Sequence, residues 1–142
     1  MIDVIEQVKR DEGYRRYPYR CSAGVLTIGY GRNIDEEHGG EGLSEPESGI
    51  LLRNNLAAVE SDLGQIFPGW AEFGLVRQSA LLNMRYQLGP GGFRGFRKMI
   101  THINDGRWLQ AGWEAMQSKW AVQTPRRAHR VAEEIRDGVA LS

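Results

Sequence analysis

The sequence of 142 residues contains a single cysteine and no long apolar run. Cys21 alone cannot form an intrachain disulfide, and a zinc site built on cysteines is disfavoured for the same reason. No apolar stretch approaches the roughly 20 residues that span a bilayer. The first residues also lack the basic start and apolar core of a signal peptide. The sequence therefore predicts no membrane anchor and no export device of its own.

The net charge is zero, because 18 Lys and Arg residues balance 18 Asp and Glu residues. Proteins that bind nucleic acid normally show a basic excess, so nucleic acid is not an expected partner. The distribution is uneven, since residues 61–142 carry 11 basic and 7 acidic side chains. This excess leaves two interpretations open: attraction to an anionic polymer or envelope, or chance variation on solvated faces.

Several catalytic motifs are absent. The sequence has no G-x-S-x-G nucleophile elbow, no Walker loop and no H-E-x-x-H helix. The three histidines are isolated from one another, and Gly29-Tyr30-Gly31 lacks the third glycine of a dinucleotide-binding fingerprint. We therefore expect neither a cofactor nor a metal ion.

Helical and strand patterns follow one another in a definite order. A first helix is predicted over 2–12, with a start at Asp3 and Glu6 that resembles a capping box and an end at Gly13. Ser44 and Glu47 form an S-x-x-E capping box for a helix that runs towards Gly64. Two short strands are predicted over Tyr17–Arg20 and Val25–Ile28, and the acidic, glycine-containing segment Asn33–Gly42 is a surface loop. Further helices are predicted over Leu75–Leu88, Phe96–Asn104, Trp108–Trp120 and Pro125–Arg136.

These elements indicate an α+β fold that is predominantly helical. Four tryptophans occur at helical spacing, and we expect Trp70, Trp108 and Trp113 to lie in the core.

The segment from Asp11 to Gly31 could carry chemistry. Glu12 ends the first helix, and Cys21 and Thr27 lie on or beside the hairpin. A hairpin that folds back over the helix end can bring the three side chains together. A glycosidase needs one carboxylic acid to protonate the leaving oxygen and a second group that delivers water or attacks the sugar. The alternative for Cys21 is a small, buried apolar residue.

Three motifs in the same order resemble the phage-type lysozyme family over nearly the whole chain. They are D-E-G with Y-x-Y and G-x-x-T-I-G-x-G (residues 11–31), A-L-L-N-M with Q-x-G (80–89), and S-K-W with Q-T-P-x-R-A (118–128). The resemblance implies a lysozyme-like fold with a cleft between a small β-hairpin lobe and a larger helical lobe. It implies a small lobe over about 13–43, a connecting helix over about 44–63, and a helical lobe over about 64–142 that includes the helix 2–12.

The resemblance also implies roles for individual residues. Glu12 matches the general acid, and Thr27 matches the threonine that helps to hold the attacking water. Cys21 stands where the family has either an aspartate or a cysteine as the second catalytic group. Arg20 and Arg32 are close to Cys21 in the sequence and could supply positive charge that lowers the pKa of its thiol. Arg32 also stands where the family's best-known member has a histidine that forms a stabilising ion pair.

Other matched residues support the site. The resemblance pairs Arg127 with Glu12 and Arg130 with Asp11, and it places Trp120 beside the cleft wall. The substrate-lining positions are Asn33, Tyr86 and Gln87.

The implied function is that of an endolysin. This muramidase cleaves the β-1,4 bond between N-acetylmuramic acid and N-acetylglucosamine in peptidoglycan and so lyses the host. We expect a monomer that is made in the host cytoplasm and depends on a separate holin for access to the wall. Two alternatives are a lysozyme-fold module that binds peptidoglycan without efficient catalysis, and a protein that disrupts membranes through its basic C-terminal helix.

Overall fold

The structure, a computed structural model, describes residues 3–141. Within them lie seven α-helices and a three-stranded antiparallel sheet, so the predicted α+β, mainly helical fold is confirmed. The elements are α1 (Val4–Glu12), β1 (Arg15–Arg20), β2 (Leu26–Gly29), β3 (Arg32–Asn33), α2 (Glu45–Ile66), α3 (Leu75–Arg94), α4 (Arg97–Asn104), α5 (Trp108–Met116), α6 (Lys119–Gln123) and α7 (Pro125–Asp137). No helix in this part of the chain is long and apolar enough to cross a bilayer.

The chain divides into two compact units within α2, the first ending at Leu51 and the second beginning at Leu52. Among the described residues up to Leu51, only Thr27 and Asp35 are buried. Both of these buried side chains are polar, and each is hydrogen-bonded, Thr27 to the Val25 carbonyl and Asp35 to the Leu26 N–H. The lobe boundaries that the resemblance implies stay a prediction.

In the first unit, both the start of α1 and the pairing of β1 with β2 depend on interactions between residues close in sequence. The Asp3 carboxylate caps α1 by accepting the N–H of Ile5 at 3.0 Å, as its position predicts. The predicted start at Ile2 lies outside the described residues. In the sheet, Tyr19 lies opposite Thr27, and the register shifts between Arg15 and Tyr19. This interval contains a proline, which has no N–H to donate to the ladder.

The long helix α2 begins where its capping box predicts. The Ser44 N–H donates to Glu47 Oε1 at 3.0 Å, and the Glu47 N–H donates to Ser44 Oγ at 3.2 Å. The helix ends at Ile66 rather than at the predicted Gly64.

The second unit encloses the apolar core. Phe67 packs edge-on against Phe73 and Phe93, with ring centroids 5.5 Å and 6.1 Å apart. The largest fully buried side chains of this core are Leu63, Phe67, Leu81, Met84, Phe93, Met99, Ile103, Val131 and Ile135. Burial of each of these side chains contributes roughly 1.5–3 kcal/mol to the free energy of unfolding, so this core stabilises the second unit.

Two expectations for this unit were wrong. The single helix predicted over Trp108–Trp120 ends at Met116, because Ser118 is extended and its hydroxyl accepts the Ala121 N–H, which starts α6. Trp113 is 61% exposed rather than in the core, since it lies on the outer face of α5. A third expectation, the helix over Leu75–Leu88, is confirmed, because Gly89 (φ 75°, ψ 172°) interrupts the helical backbone directly after Leu88; a second helical segment then runs to Arg94 and completes α3.

Candidate active site

The end of α1 packs against the turn between β2 and β3. The rings of Tyr14 and Tyr30 lie 5.5 Å apart, and Lys9 Nζ lies 5.6 Å from the centre of the Tyr30 ring. Next to Tyr30, Gly31 has a positive φ of 75°. A Cβ at Gly31 would collide with Glu12 Oε2 and would lie 2.8 Å from Glu12 Cδ. The carboxyl group of Glu12 therefore occupies the space that a Cβ at residue 31 would take, so a side chain there would have to displace it.

Cys21 begins the turn that joins β1 and β2. Its N–H donates to the Val25 carbonyl at 3.0 Å, and its carbonyl accepts the Gly24 N–H at 2.8 Å. Hydrogen bonds from the backbone N–H groups of Val25 and then Ala23 lower the pKa of the Cys21 thiol, against a smaller raising effect of desolvation. The thiol is only half-buried, in contrast to the buried apolar residue that was the alternative.

The hydroxyl group of Thr27 faces the same turn. Thr27 is 5% exposed, and its Oγ1 donates to the Val25 carbonyl at 2.9 Å. It also contributes to the lowered pKa of Cys21 by hydrogen bonding to the sulfur. Because a hydroxyl has one proton, it can donate either to Val25 or to a thiolate at one time. The structure thus brings Cys21, which begins the turn, close to Thr27 of β2.

The two arginines that were candidates for lowering the thiol pKa contact other groups. Arg20 Nη1 donates to the Gly24 carbonyl at 3.0 Å and lies 3.4 Å from Asp35 Oδ2. Arg32 binds the Glu47 carboxylate through both terminal nitrogens, with Nη2 2.9 Å from Oε1. The expectation that these cations lower the pKa was wrong, because backbone N–H groups produce the shift.

In the second unit, one of the two matched arginines contacts a neighbouring helix and the other contacts its own helix. Arg127 Nε donates to Asn83 Oδ1 at 2.8 Å, and Arg130 Nε lies 3.7 Å from Glu134 Oε1 on the same helix. Asp11 is exposed at the end of α1. The implied pairings of Arg127 with Glu12 and of Arg130 with Asp11 stay predictions.

Gln87 and Trp120 form one hydrogen-bonded group. The indole Nε1 of Trp120 donates to Gln87 Oε1 at 2.8 Å, and Gln87 Nε2 lies 3.4 Å from Thr124 Oγ1. Tyr86 precedes Gln87 on α3 and is exposed. Asn33 instead holds its own loop, since its Oδ1 accepts the Asp35 N–H and its Nδ2 donates to the His38 carbonyl.

A family model described as phage lysozyme matches residues 9–132 of this chain. The chain belongs to the phage lysozyme family. The matched range includes every residue that was singled out above as a candidate for catalysis or substrate binding.

Three relatives extend this comparison. "Probable T4-type lysozyme 1" of Dictyostelium discoideum is 27% identical over 95% of this chain and 94% of its own length. The "SAR-endolysin" of Bacteriophage PS119 is 27% identical over 79% of this chain and 73% of its own. The "Pre-baseplate central spike protein Gp5" of Enterobacteria phage T4 is 30% identical over 96% of this chain, which spans 28% of that protein. Family and relatives together support a lysozyme-type function.

One buried residue, Asp35, was not predicted to be buried. Asp35 was assigned to a surface loop, yet its side chain is only 9% exposed and accepts several hydrogen bonds. The segment Asp-Glu-Glu-His is acidic and polar, and nothing in that pattern distinguishes the buried carboxylate from its exposed neighbours.

The Arg32–Glu47 ion pair should make the melting temperature of the protein depend on pH in the acid range. The hydroxyl and N–H of Ser44, followed by the guanidinium of Arg32, lower the pKa of Glu47 to about 2. A carboxylate with a lowered pKa in the folded state stabilises the protein above its ordinary pKa of 4.5, and the effect is lost as the pH falls towards 2. We expect the melting temperature to fall more steeply between pH 4.5 and 2 in the wild type than in Glu47→Gln.

Circular dichroism during heating measures this difference. Glu45→Gln is the matched control, because it removes a carboxylate from the same first turn of α2 without breaking the arginine pair. Equal slopes for Glu47→Gln and the wild type would contradict the assignment.

Proposed function

We propose that this chain is a muramidase of the endolysin type. It hydrolyses the β-1,4 bond between N-acetylmuramic acid and N-acetylglucosamine in peptidoglycan. The observation that carries the proposal is the arrangement within the first unit. There the Glu12 carboxyl rests on Gly31, next to the sheet whose hairpin turn begins at the half-buried Cys21 and is faced by the Thr27 hydroxyl from β2.

Each of the three side chains then has a chemical role. Protonated Glu12 gives its proton to the glycosidic oxygen as the bond to C1 breaks. The Cys21 thiolate takes a proton from a water molecule whose oxygen forms the new bond to C1. Thr27 holds that water. The products are two shorter glycan ends, a Glu12 carboxylate and a Cys21 thiol, and proton exchange with solvent restores the starting state.

Cleavage of purified peptidoglycan tests the reaction directly. New reducing ends should appear, and borohydride reduction followed by acid hydrolysis should convert N-acetylmuramic acid ends, not N-acetylglucosamine ends, into the sugar alcohol. Reduced glucosamine would contradict the proposed bond.

A second candidate is a module that binds peptidoglycan without efficient catalysis. The observation that favours it is a thiol at the position of the second catalytic group. Binding to peptidoglycan without any new reducing ends would support this candidate against the muramidase. Action on the wall of a host cell, dependence on a holin and a monomeric state stay predictions.

Gly31 offers a prediction that separates activity from stability. Gly31→Ala should lower glycan cleavage about 100-fold, because the new methyl group displaces the Glu12 carboxyl by about 1 Å or more. Gly29→Ala is the matched control, since Gly29 also has a positive φ (66°) but has open space at its Cβ position. Both variants should lose about 1–2 kcal/mol of unfolding free energy from backbone strain. Equal activities in the two variants would contradict the placement of Glu12.

A further inference from the structure

The carboxylate of Asp35 is the centre of a polar cluster in the first unit. Its Oδ2 accepts the Leu26 N–H at 3.0 Å and lies 3.0 Å from His38 Nδ1 and 3.4 Å from Arg20 Nη1. Its Oδ1 accepts the Glu37 N–H at 3.2 Å. The bond from Leu26, followed by His38 and Glu37, lowers the pKa of Asp35, so this carboxyl is ionised at neutral pH.

Arg20 and Asp35 each form a hydrogen bond with one of the two peptide groups on either side of Val25. The peptide before Val25 has its carbonyl, that of Gly24, bound by Arg20 at 3.0 Å. The peptide after Val25 has its N–H, that of Leu26, bound by Asp35. Arg20 and Asp35 also contact each other, so the two peptides are held by one connected pair.

The opposite ends of the same two peptides face the proposed catalytic groups. The Val25 N–H is the leading cause of the lowered pKa of the Cys21 thiol. The Val25 carbonyl accepts both the Cys21 N–H at 3.0 Å and the Thr27 hydroxyl at 2.9 Å. Because a peptide group is planar, holding one end fixes the direction of the other.

We propose that Asp35 and Arg20 are positioning residues, which orient the two peptide groups around Val25 towards Cys21 and Thr27. The catalytic meaning of this role rests on the proposed function, whereas the effect on Cys21 itself does not. Neither side chain is assigned a contact with substrate.

The pH dependence of Cys21 alkylation tests the proposal without any glycan. The chain has one cysteine, so the rate of iodoacetamide incorporation reports that thiol alone, and only the thiolate reacts. In Asp35→Asn we expect the midpoint of the pH profile to rise by about one unit, which slows alkylation about tenfold below both midpoints. The asparagine amide has one acceptor oxygen in place of two and directs two donors at the cluster.

The direction of the shift excludes a simple charge effect. Removing the negative charge of Asp35 would by itself favour the thiolate and lower the midpoint, whereas loss of the oriented N–H groups raises it. Arg20→Lys gives a second, independent variant, because it keeps the charge and loses the planar guanidinium that spans Gly24 and Asp35. We expect Arg20→Lys to raise the midpoint as well.

Two controls exclude general destabilisation. Glu47→Gln breaks another carboxylate–arginine pair of the same unit and should leave the midpoint unchanged. His38 is the other titratable group that faces Asp35, so His38→Gln identifies any step in the profile that its own protonation causes. Circular dichroism confirms that each variant is folded, and Arg20→Lys carries the test if Asp35→Asn is not.

Unchanged or lowered midpoints in folded Asp35→Asn and Arg20→Lys would overturn the proposal. If the midpoints rise while the wild type releases no reducing ends from peptidoglycan, the positioning of Cys21 holds and the muramidase function fails. If the wild type cleaves peptidoglycan and the midpoints stay constant, the positioning role alone is wrong.

Discussion

Glu12→Gln should reduce the release of reducing ends from peptidoglycan by at least about 10²–10⁴-fold. Glutamine has nearly the same shape as glutamic acid but has no acidic proton to give to the glycosidic oxygen. The fold should be preserved, because Glu12 is exposed at the end of α1 and only its carboxyl group touches Gly31. Reducing-end release and thermal unfolding, measured on the same preparation, separate the two effects.

Glu6→Gln is the matched control for this experiment. Glu6 lies on the same helix, pairs with Lys9 at 3.3 Å and has no proposed catalytic role. Its replacement should leave cleavage within about twofold of the wild type, since an exposed ion pair of this kind contributes little. A Glu12→Gln protein that cleaves as fast as Glu6→Gln would rule out Glu12 as the acid.

Cys21→Ala should lose nearly all glycan cleavage, whereas Cys21→Asp should keep a substantial part. Alanine cannot accept a proton from water, but aspartate can, and the N–H groups of Ala23 and Val25 that lower the pKa of the thiol would also favour an ionised carboxyl group there. Activity needs a protonated Glu12 and an ionised second group at the same time. Because a carboxyl group ionises at lower pH than a thiol, the pH of maximum activity should be lower in Cys21→Asp than in the wild type.

Alkylation gives a separate check on the thiol. Iodoacetamide should inactivate the wild type in step with its incorporation, and it should leave Cys21→Asp active. Cys21→Ser is the control for size and hydrogen bonding, and it should be as inactive as Cys21→Ala because a serine hydroxyl is not ionised at neutral pH. Full activity of Cys21→Ala would show that the second catalytic group lies elsewhere.

Local signals in the sequence predicted the elements that local chemistry controls. Asp3 and the Ser44–Glu47 capping box correctly marked two helix starts, since caps act within one turn of backbone. The break between α5 and α6 was missed because Ser118 is compatible with a helix interior as well as with a cap. Trp113 was misplaced because helical spacing does not reveal which face of a helix the core covers.

The candidate site could be predicted only in part. The resemblance supplied Glu12, Cys21 and Thr27 as residues, but the leading causes of the lowered pKa of Cys21 are backbone N–H groups. Backbone groups are the same at every position except proline, so side-chain identity carries no signal for them. The charged neighbours Arg20 and Arg32 were the natural expectation for the pKa, and the structure directs both of them to other partners.

The division of the chain at Leu51 and Leu52 also separates its natural optical probes. All four tryptophans belong to the second unit, and the only cysteine belongs to the first. Trp70 and Trp120 are almost fully buried, whereas Trp113 is exposed to aqueous quenchers. Tryptophan fluorescence therefore reports the melting of the second unit, and the fluorescence of a dye attached to Cys21 reports the melting of the first unit. The native sequence thus allows both melting curves to be recorded from one dye-labelled sample without introducing a cysteine or a tryptophan.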